Sequence, residues 1–195
     1  RTYSSCGQYK ENVADARRAI TAQGLADVDV RFVSDWFAHD GFVHTNATHI
    51  ADALARLPRE LRAGARVIFT AHSIPLPMAE KSVYRENLLE SARQVMQRLR
   101  RDDWALVYQS RSGRPEDPWL EPDICDYLRA EHAKGLRAAV ISPIGFVCDH
   151  VEVLYDLDHE AASVCDAIGL PMRRARAVND APLFLDLMAD VVRAT

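Results

Sequence analysis

The order of hydrophobic patterns along the chain predicts an α/β fold, a parallel sheet with helices on both faces. Two observations carry that prediction. Short apolar runs, "ARVIFTA" (65–71), "WALVYQS" (104–110) and "RAAVISP" (137–143), alternate with segments whose apolar residues recur at helical spacing. The chain also has 195 residues, 48% of them hydrophobic, which is enough to enclose a core.

The elements follow in order. "YKENVADARRAITAQG" (9–24) reads as a helix that ends at Gly24, glycine being the residue most suited to a helix stop. "DVRFVSDW" (29–36) reads as a strand and "THIADALARLP" (48–58) as a helix stopped by Pro58. After the strand at 65–71 come a helix at 83–99, the strand at 104–110, a helix at 122–135 and the strand at 137–143. A helix at 149–169, a short strand at 173–178 and a closing helix at 181–194 complete the chain. "SRSGRPEDPWLEP" (110–122) is the extended loop, and loops of that length often carry function.

Composition excludes several functions. A net charge of −4 and a pI near 6.0 supply no electrostatic footprint for nucleic acid. No apolar run approaches the ~20 residues that span a bilayer. No GxGxxG or GxxxxGK[ST] stands at a turn, so nucleotide binding has no support. Cys6, Cys125, Cys148 and Cys165 lie far apart with no CxxC pair, a pattern suited to a reducing, cytoplasmic setting. The chain opens without Met and passes almost at once into a helical pattern, so it is expected to begin in mid-protein.

Ligands of open parallel sheets sit beyond the carboxyl ends of the strands. Three places qualify: His72 with Ser73; Gln109, Ser110 and the Trp119 loop; and the turn Pro143 to Phe146. The last leads into an acidic helix. At 100° per residue Asp149, Glu152, Asp156 and Glu160 share one sector, with Val153, Leu157, Ala161, Val164 and Ile168 roughly opposite. The row reads either as a solvated helix face or as a ladder of carboxylates for divalent cations or protons. His72 is either a structural hydrogen-bonder or, paired with a Glu, a base and ligand. His39, His44 and His49 fit loop or surface positions, and His150 and His159 either join the acid row or cap helix ends. Trp119 is either a packing residue or a flat pocket wall.

Four stretches resemble the ferrochelatases, which insert Fe²⁺ into a porphyrin in haem synthesis: "FTAHSIP" (69–75), "QSRSGRPEDPWLEP" (109–122), "SPIGFVCDHVEVLYDLDHEA" (142–161) and "NDAPLFLDLMADVV" (179–192). The resemblance covers nearly the whole chain, in order. It implies a Rossmann-like (chelatase-like) parallel sheet with helices on both faces. Residues 1–195 would be the C-terminal half to three-fifths of such a protein, mostly one domain, with an N-terminal half lying outside it. His72 and Glu152 match the catalytic pair, and His72, Glu152, Asp156 and Glu160 the metal-handling groups. Asp149 and His150 match supporting residues, and Ser73, Gln109 and Trp119 fall on the substrate pocket. The acidic helix is expected in π geometry, which moves side chains off the regular phase. Cys6 is similar to one ligand of a [2Fe–2S] cluster whose other ligands come from a tail beyond the last helix, so a cluster is expected only in a longer parent.

The implied substrates are ferrous iron and a porphyrin. The Ala- and Arg-rich style resembles actinobacterial members, for which coproporphyrin III is expected. Protoporphyrin IX, another tetrapyrrole chelatase reaction, and a non-catalytic metal- or porphyrin-binding fragment stand as alternatives. No nucleic acid or transmembrane partner is implied.

Overall fold

The structure, a computed structural model, describes residues 7–25, 28, 33, 36–114 and 116–195. Its centre is a sheet of β1 (Arg66–His72), β2 (Trp104–Gln109), β3 (Ala139–Ser142) and β4 (Met172–Arg174), in the order β2-β1-β3-β4. All three pairings are parallel, as the alternation of strands and helices requires. β1 is central and enclosed on both sides, which explains its unbroken apolar run: Val67 through Ala71 are buried.

Period 2 sorts the strand residues between two cores. Val67, Phe69, Ala71 and Tyr108 pack with α2 (Asp40–Ala55), α4 (Tyr84–Leu99) and α8 (Pro182–Arg193). Ile68, Val107, Ala139 and Ile141 pack on the other face with α5 (Ile124–Ala133), α6 (Val151–Val153) and α7 (Ala162–Ile168). A π-helical segment, Leu154–Ala161, joins α6 to α7. The remaining helices are α1 (Gly7–Ala22) and the single turn α3 (Leu76–Ala79).

Several boundaries differ from the sequence reading. α2 starts at Asp40, well before the expected Thr48. Its first turns contain Gly41, Thr45 and Asn46, weak helix formers. Burial and local bonds hold them: Thr45 donates to the Gly41 carbonyl at 2.7 Å and Asn46 to the Phe42 carbonyl at 2.9 Å. His39 caps this helix, accepting from Gly41 N–H at 3.1 Å, and His49 is buried rather than on the surface, with Nδ1 3.2 Å from the Arg176 carbonyl. β4 is confined to Met172–Arg174, short of the expected 173–178. Most of the expected strand at 29–36 lies outside the described residues.

The long loop is stitched down. Leu76 N–H donates to the Pro118 carbonyl and Leu120 N–H to the Ile74 carbonyl, both at 2.9 Å, so the loop runs antiparallel to the segment after β1. Trp119 packs on Gly113, where a Cβ would stand 3.0 Å from the indole and where φ is +103°; only glycine meets both demands.

Candidate functional site

The ends of β1 and β2 and the start of the acidic helix meet on one face of the sheet. His72 is the last residue of β1 and Gln109 the last of β2, and the two are register partners. Parallel register partners project to the same side, here the side of α5 and the π segment.

The helix is brought in by a close backbone approach. Gly145 N–H donates to the Thr70 carbonyl at 3.0 Å, and a Cβ at Gly145 would lie 2.5 Å from Ala71 Cβ and 2.7 Å from Ala71 Cα. Only a residue without a side chain lets this turn lie against β1 beneath His72.

Asp149 stands apart from the row in which the helical wheel places it. The helix begins at Val151 with His150 as its N-cap, so Asp149 precedes the first turn. Its carboxylate accepts from Arg174 Nη1 at 2.8 Å, Asn179 Nδ2 at 2.8 Å and Ala177 N–H at 3.2 Å. Burial pushes this carboxyl up, but the bonds from Asn179, Ala177 and Arg174 outweigh it and hold the group below its ordinary value. Arg174 also donates to Asp158 in the π segment, at 2.9 Å from Nη2. One guanidinium thereby ties the turn before the helix to the middle of it. His150 accepts from Val153 N–H at 3.4 Å and stacks edge-on against Phe146, a capping and packing role. His159 lies edge-on to Tyr155.

Glu152, Asp156 and Glu160 make a row on the helix. Glu152 Oε1 lies 3.3 Å from His72 Nε2. His72 Nδ1 is hydrogen-bonded to the Ser73 carbonyl, which can only accept. Nδ1 therefore carries a hydrogen, and in the neutral ring Nε2 presents a lone pair toward the carboxylate. A proton or a cation held between these two acceptors would join them. Both side chains are partly open, at 37% and 42% exposure, so such an ion can enter and leave.

One turn along, Asp156 Oδ2 accepts from Gln109 Nε2 at 3.1 Å and from the Ser110 hydroxyl. Four residues of α-helix climb about 6 Å, more than the roughly 4.8 Å between neighbouring strands. Glu152 and Asp156, on either side of the start of the π segment, face the ends of the neighbouring strands β1 and β2. The π geometry implied by the resemblance is present over Leu154–Ala161.

Asp156 and Glu160 also line an open cleft of about 310 Å³ with Cys125 and Arg129. Burial, then the charges of Asp123 and Glu160, push the Cys125 thiol up to about 11, so it enters this cleft protonated at neutral pH. Among the described residues no three His, Cys, Asp or Glu side chains gather to hold one metal in common. His72 and Glu152 form a pair, and Asp156 and Glu160 a separate outer group.

The other predicted positions are distributed as follows. Ser73 is buried and donates to the Leu120 carbonyl at 2.8 Å, bracing the long loop. Gln109 is turned to Asp156, and Trp119 is half-buried against Gly113. Cys6 lies outside the described residues. Cys125, Cys148 and Cys165 are free thiols on separate segments, half-buried, exposed and buried respectively. The described cysteines do not fit a [2Fe–2S] cluster, which takes four thiolates together. Sequence reading missed Arg174 and Asn179; the signal for Asn179 is an Asn in a turn, where it adopts φ +47° at little cost.

A family model described as Ferrochelatase matches residues 1–195. The chain belongs to the ferrochelatase family. It is 44% identical to the coproporphyrin III ferrochelatase of Streptomyces griseus over 98% of this chain and 55% of that one. To the ferrochelatase of Rhodopirellula baltica it is 43% identical over 98% and 54%, and to the coproporphyrin III ferrochelatase of Mycolicibacterium smegmatis 42% over 97% and 56%. The chain thus spans about half the length of these curated relatives. A multi-domain protein of Deinococcus radiodurans, described as structurally similar to chelatases, superposes with a TM-score of 0.51 at 14% identity, over 79% of this chain and 29% of that one. That likeness concerns the fold, a parallel α/β sheet. Among the described residues no helix is long and apolar enough to cross a membrane.

Proposed function

We propose that the protein carrying this chain inserts ferrous iron into a porphyrin, with coproporphyrin III as substrate and coprohaem as product, in haem biosynthesis. The observation that carries this reading is the His72–Glu152 pair, imidazole nitrogen facing carboxylate oxygen at 3.3 Å on the rim of the sheet. Insertion exchanges two pyrrole N–H protons for one Fe²⁺, so the site must accept protons and hold a divalent cation in the same place. A neutral imidazole with Nδ1 tied to the Ser73 carbonyl offers Nε2 for either task. Glu152 supplies the charge that makes a proton or cation at Nε2 favourable. Two protein donors leave most of a metal's coordination positions open, which suits an ion to be handed on rather than stored. Asp156 and Glu160 continue the row outward to the cleft and provide oxygen ligands along a path for incoming Fe²⁺ or outgoing protons.

The choice of coproporphyrin III rests on the names of the Streptomyces and Mycolicibacterium relatives. Free thiols at Cys125, Cys148 and Cys165 support a cytoplasmic setting. The share of the relatives' length that the chain spans favours a second reading, in which these residues bind metal or porphyrin without turnover by themselves.

The test is anaerobic Fe²⁺ insertion, followed by porphyrin absorbance, with coproporphyrin III and protoporphyrin IX in parallel. Faster insertion into coproporphyrin III supports the proposal. Preference for protoporphyrin IX would transfer it to that substrate, and binding of both without insertion would favour the second reading.

A further inference from the structure

The backbone carbonyl of His72 is satisfied from outside the site. Successive residues of a strand turn their backbone groups to opposite neighbours. In β1 the Thr70 carbonyl faces the β3 side, where it accepts from Gly145 N–H at 3.0 Å. Ser73 N–H faces the β2 side, where it donates to the Gln109 carbonyl at 2.8 Å. The His72 carbonyl, two residues after Thr70, therefore points to the β3 side. β3 ends at Ser142, whose register partner is Phe69, so that strand stops short of His72. The donor is instead the hydroxyl of Tyr84, the first residue of α4, at 3.0 Å. Tyr84 is 7% exposed. Burial, then the neighbouring Tyr108 phenol, pushes its ionisation up, so the hydroxyl keeps its proton at any working pH.

This bond bears on the imidazole through one peptide unit. The planar His72–Ser73 peptide is held at its oxygen by Tyr84 and at its hydrogen by the Gln109 carbonyl, so it cannot turn about the chain without breaking one of them. The next carbonyl, that of Ser73, takes its direction from this plane and from the Ser73 hydroxyl, which donates to the Leu120 carbonyl at 2.8 Å. That same carbonyl accepts the Nδ1 hydrogen of His72. On the other side of the ring, Glu152 at 3.3 Å draws the hydrogen toward Nε2. A hydrogen on Nε2 would remove the lone pair that accepts a proton there. The placing of the Ser73 carbonyl thus decides the contest. We propose that Tyr84 is a positioning residue, whose hydroxyl locks the His72–Ser73 peptide so that the Ser73 carbonyl keeps the hydrogen on Nδ1 and leaves the Nε2 lone pair toward Glu152. This rests on the role given to His72 in the proposed function, but the tautomer can be read without turnover.

The experiment is nitrogen NMR of the protein carrying isotopically labelled histidine, with insertion kinetics and thermal melting alongside. The His72 signals are assigned by their loss in His72→Gln and read on the alkaline side of the ring's titration. The unsubstituted protein is expected to show an Nδ1 hydrogen. Tyr84→Phe keeps the ring packing and removes only the donor. It should move the hydrogen toward Nε2 and lower kcat about three- to tenfold, the scale of one hydrogen bond, with KM for coproporphyrin III unchanged. Ser91→Ala is the control: Ser91 lies on the same helix, and its hydroxyl donates to the Phe37 carbonyl at 2.7 Å. It should lower the melting temperature about as much as Tyr84→Phe, yet leave the tautomer and kcat at wild type, which separates positioning from a merely structural role. An Nε2 hydrogen in the unsubstituted protein would overturn the proposal. So would unchanged His72 signals in Tyr84→Phe, or an equal shift in Ser91→Ala. A tautomer shift in Tyr84→Phe with no insertion by the unsubstituted protein would count against the proposed function and leave this inference standing.

Discussion

The two ends of the sheet treat charge in opposite ways. At the amino end of β1, Arg66 is enclosed by its partners: Nε lies 2.6 Å from Asp103, Nη1 reaches Glu131 and also lies 3.1 Å from Tyr127, and Lys134 adds a further cation 2.8 Å from Glu131. Burial works against the Arg66 charge, yet Asp103, Glu131 and Tyr127 outweigh it and its pKa rises. At the carboxyl end of the same strand, among the described residues, Glu152 meets only His72, and Asp156 is held by neutral donors. Among the described residues Asp156 and Glu160 have no Arg or Lys within ion-pair distance, although Arg129 borders the same cleft. One strand therefore runs from a neutralised cluster to an unneutralised one. The unmatched acids at the carboxyl end support the proposal that a cation is received there. The acids nearest the open end that are matched, Asp149 and Asp158, share Arg174 and serve to hold the helix in place.

The comparison can be broken at either end. The largest effect is expected from His72→Ala or Glu152→Gln, which should slow metal insertion by about 10²- to 10⁴-fold and leave the melting temperature close to wild type; insertion rates and a thermal melt check both halves. Gly145→Ala should act on both properties, because its Cβ would fall 2.5 Å from Ala71 Cβ and the turn would have to move. A destabilisation of about 1–3 kcal/mol, seen in urea unfolding, is expected together with slower insertion.

Arg66→Met should reverse the pattern seen for His72. It leaves Glu131 and Asp103 without their guanidinium at a partly exposed site, costing about 1–2 kcal/mol, less than for a fully buried pair. Divalent cation binding at the other end should be unchanged.

The smallest effect is a pH dependence. The folded pKa of Asp149 is depressed, so its contribution to stability is complete above the ordinary carboxylate value and is lost as pH falls through the depressed one. Asp149→Asn should lower stability at neutral pH, flatten the acid limb of stability against pH, and converge with wild type at the lowest pH. Parallel acid limbs would show that the Arg174–Asn179 network does not depend on this charge.

Much of this arrangement was legible in the sequence because it rests on periodicity. The runs at 65–71, 104–110 and 137–143 gave the strand positions and placed His72 and Gln109 at strand ends, while the register that pairs them is seen in the structure. The acid row from Glu152 was visible as an i, i+4, i+8 pattern, although its π geometry came from family resemblance and not from the wheel. What stayed hidden depended on tertiary partners. The first turns of α2 are helical because burial and the bonds of Thr45 and Asn46 override weak propensity. Asp149 left the row because Arg174 and Asn179, a strand and a turn later, draw it away. Gln109 and Ser73 were read as pocket residues from their strand-end positions, but the direction of each side chain was set by Asp156 and by the Leu120 carbonyl.

The central claim is that the unmatched carboxylates at the carboxyl end of the sheet receive a divalent cation between His72 and Glu152. Anaerobic Fe²⁺ titration of the wild-type protein, Glu152→Gln and Arg66→Met tests it most directly. The account predicts saturable binding in the wild type, the same affinity in Arg66→Met, and a loss of at least about tenfold in Glu152→Gln, as expected when a charged ligand is removed. Equal affinity in Glu152→Gln and wild type, or an equal loss in both variants, would contradict it.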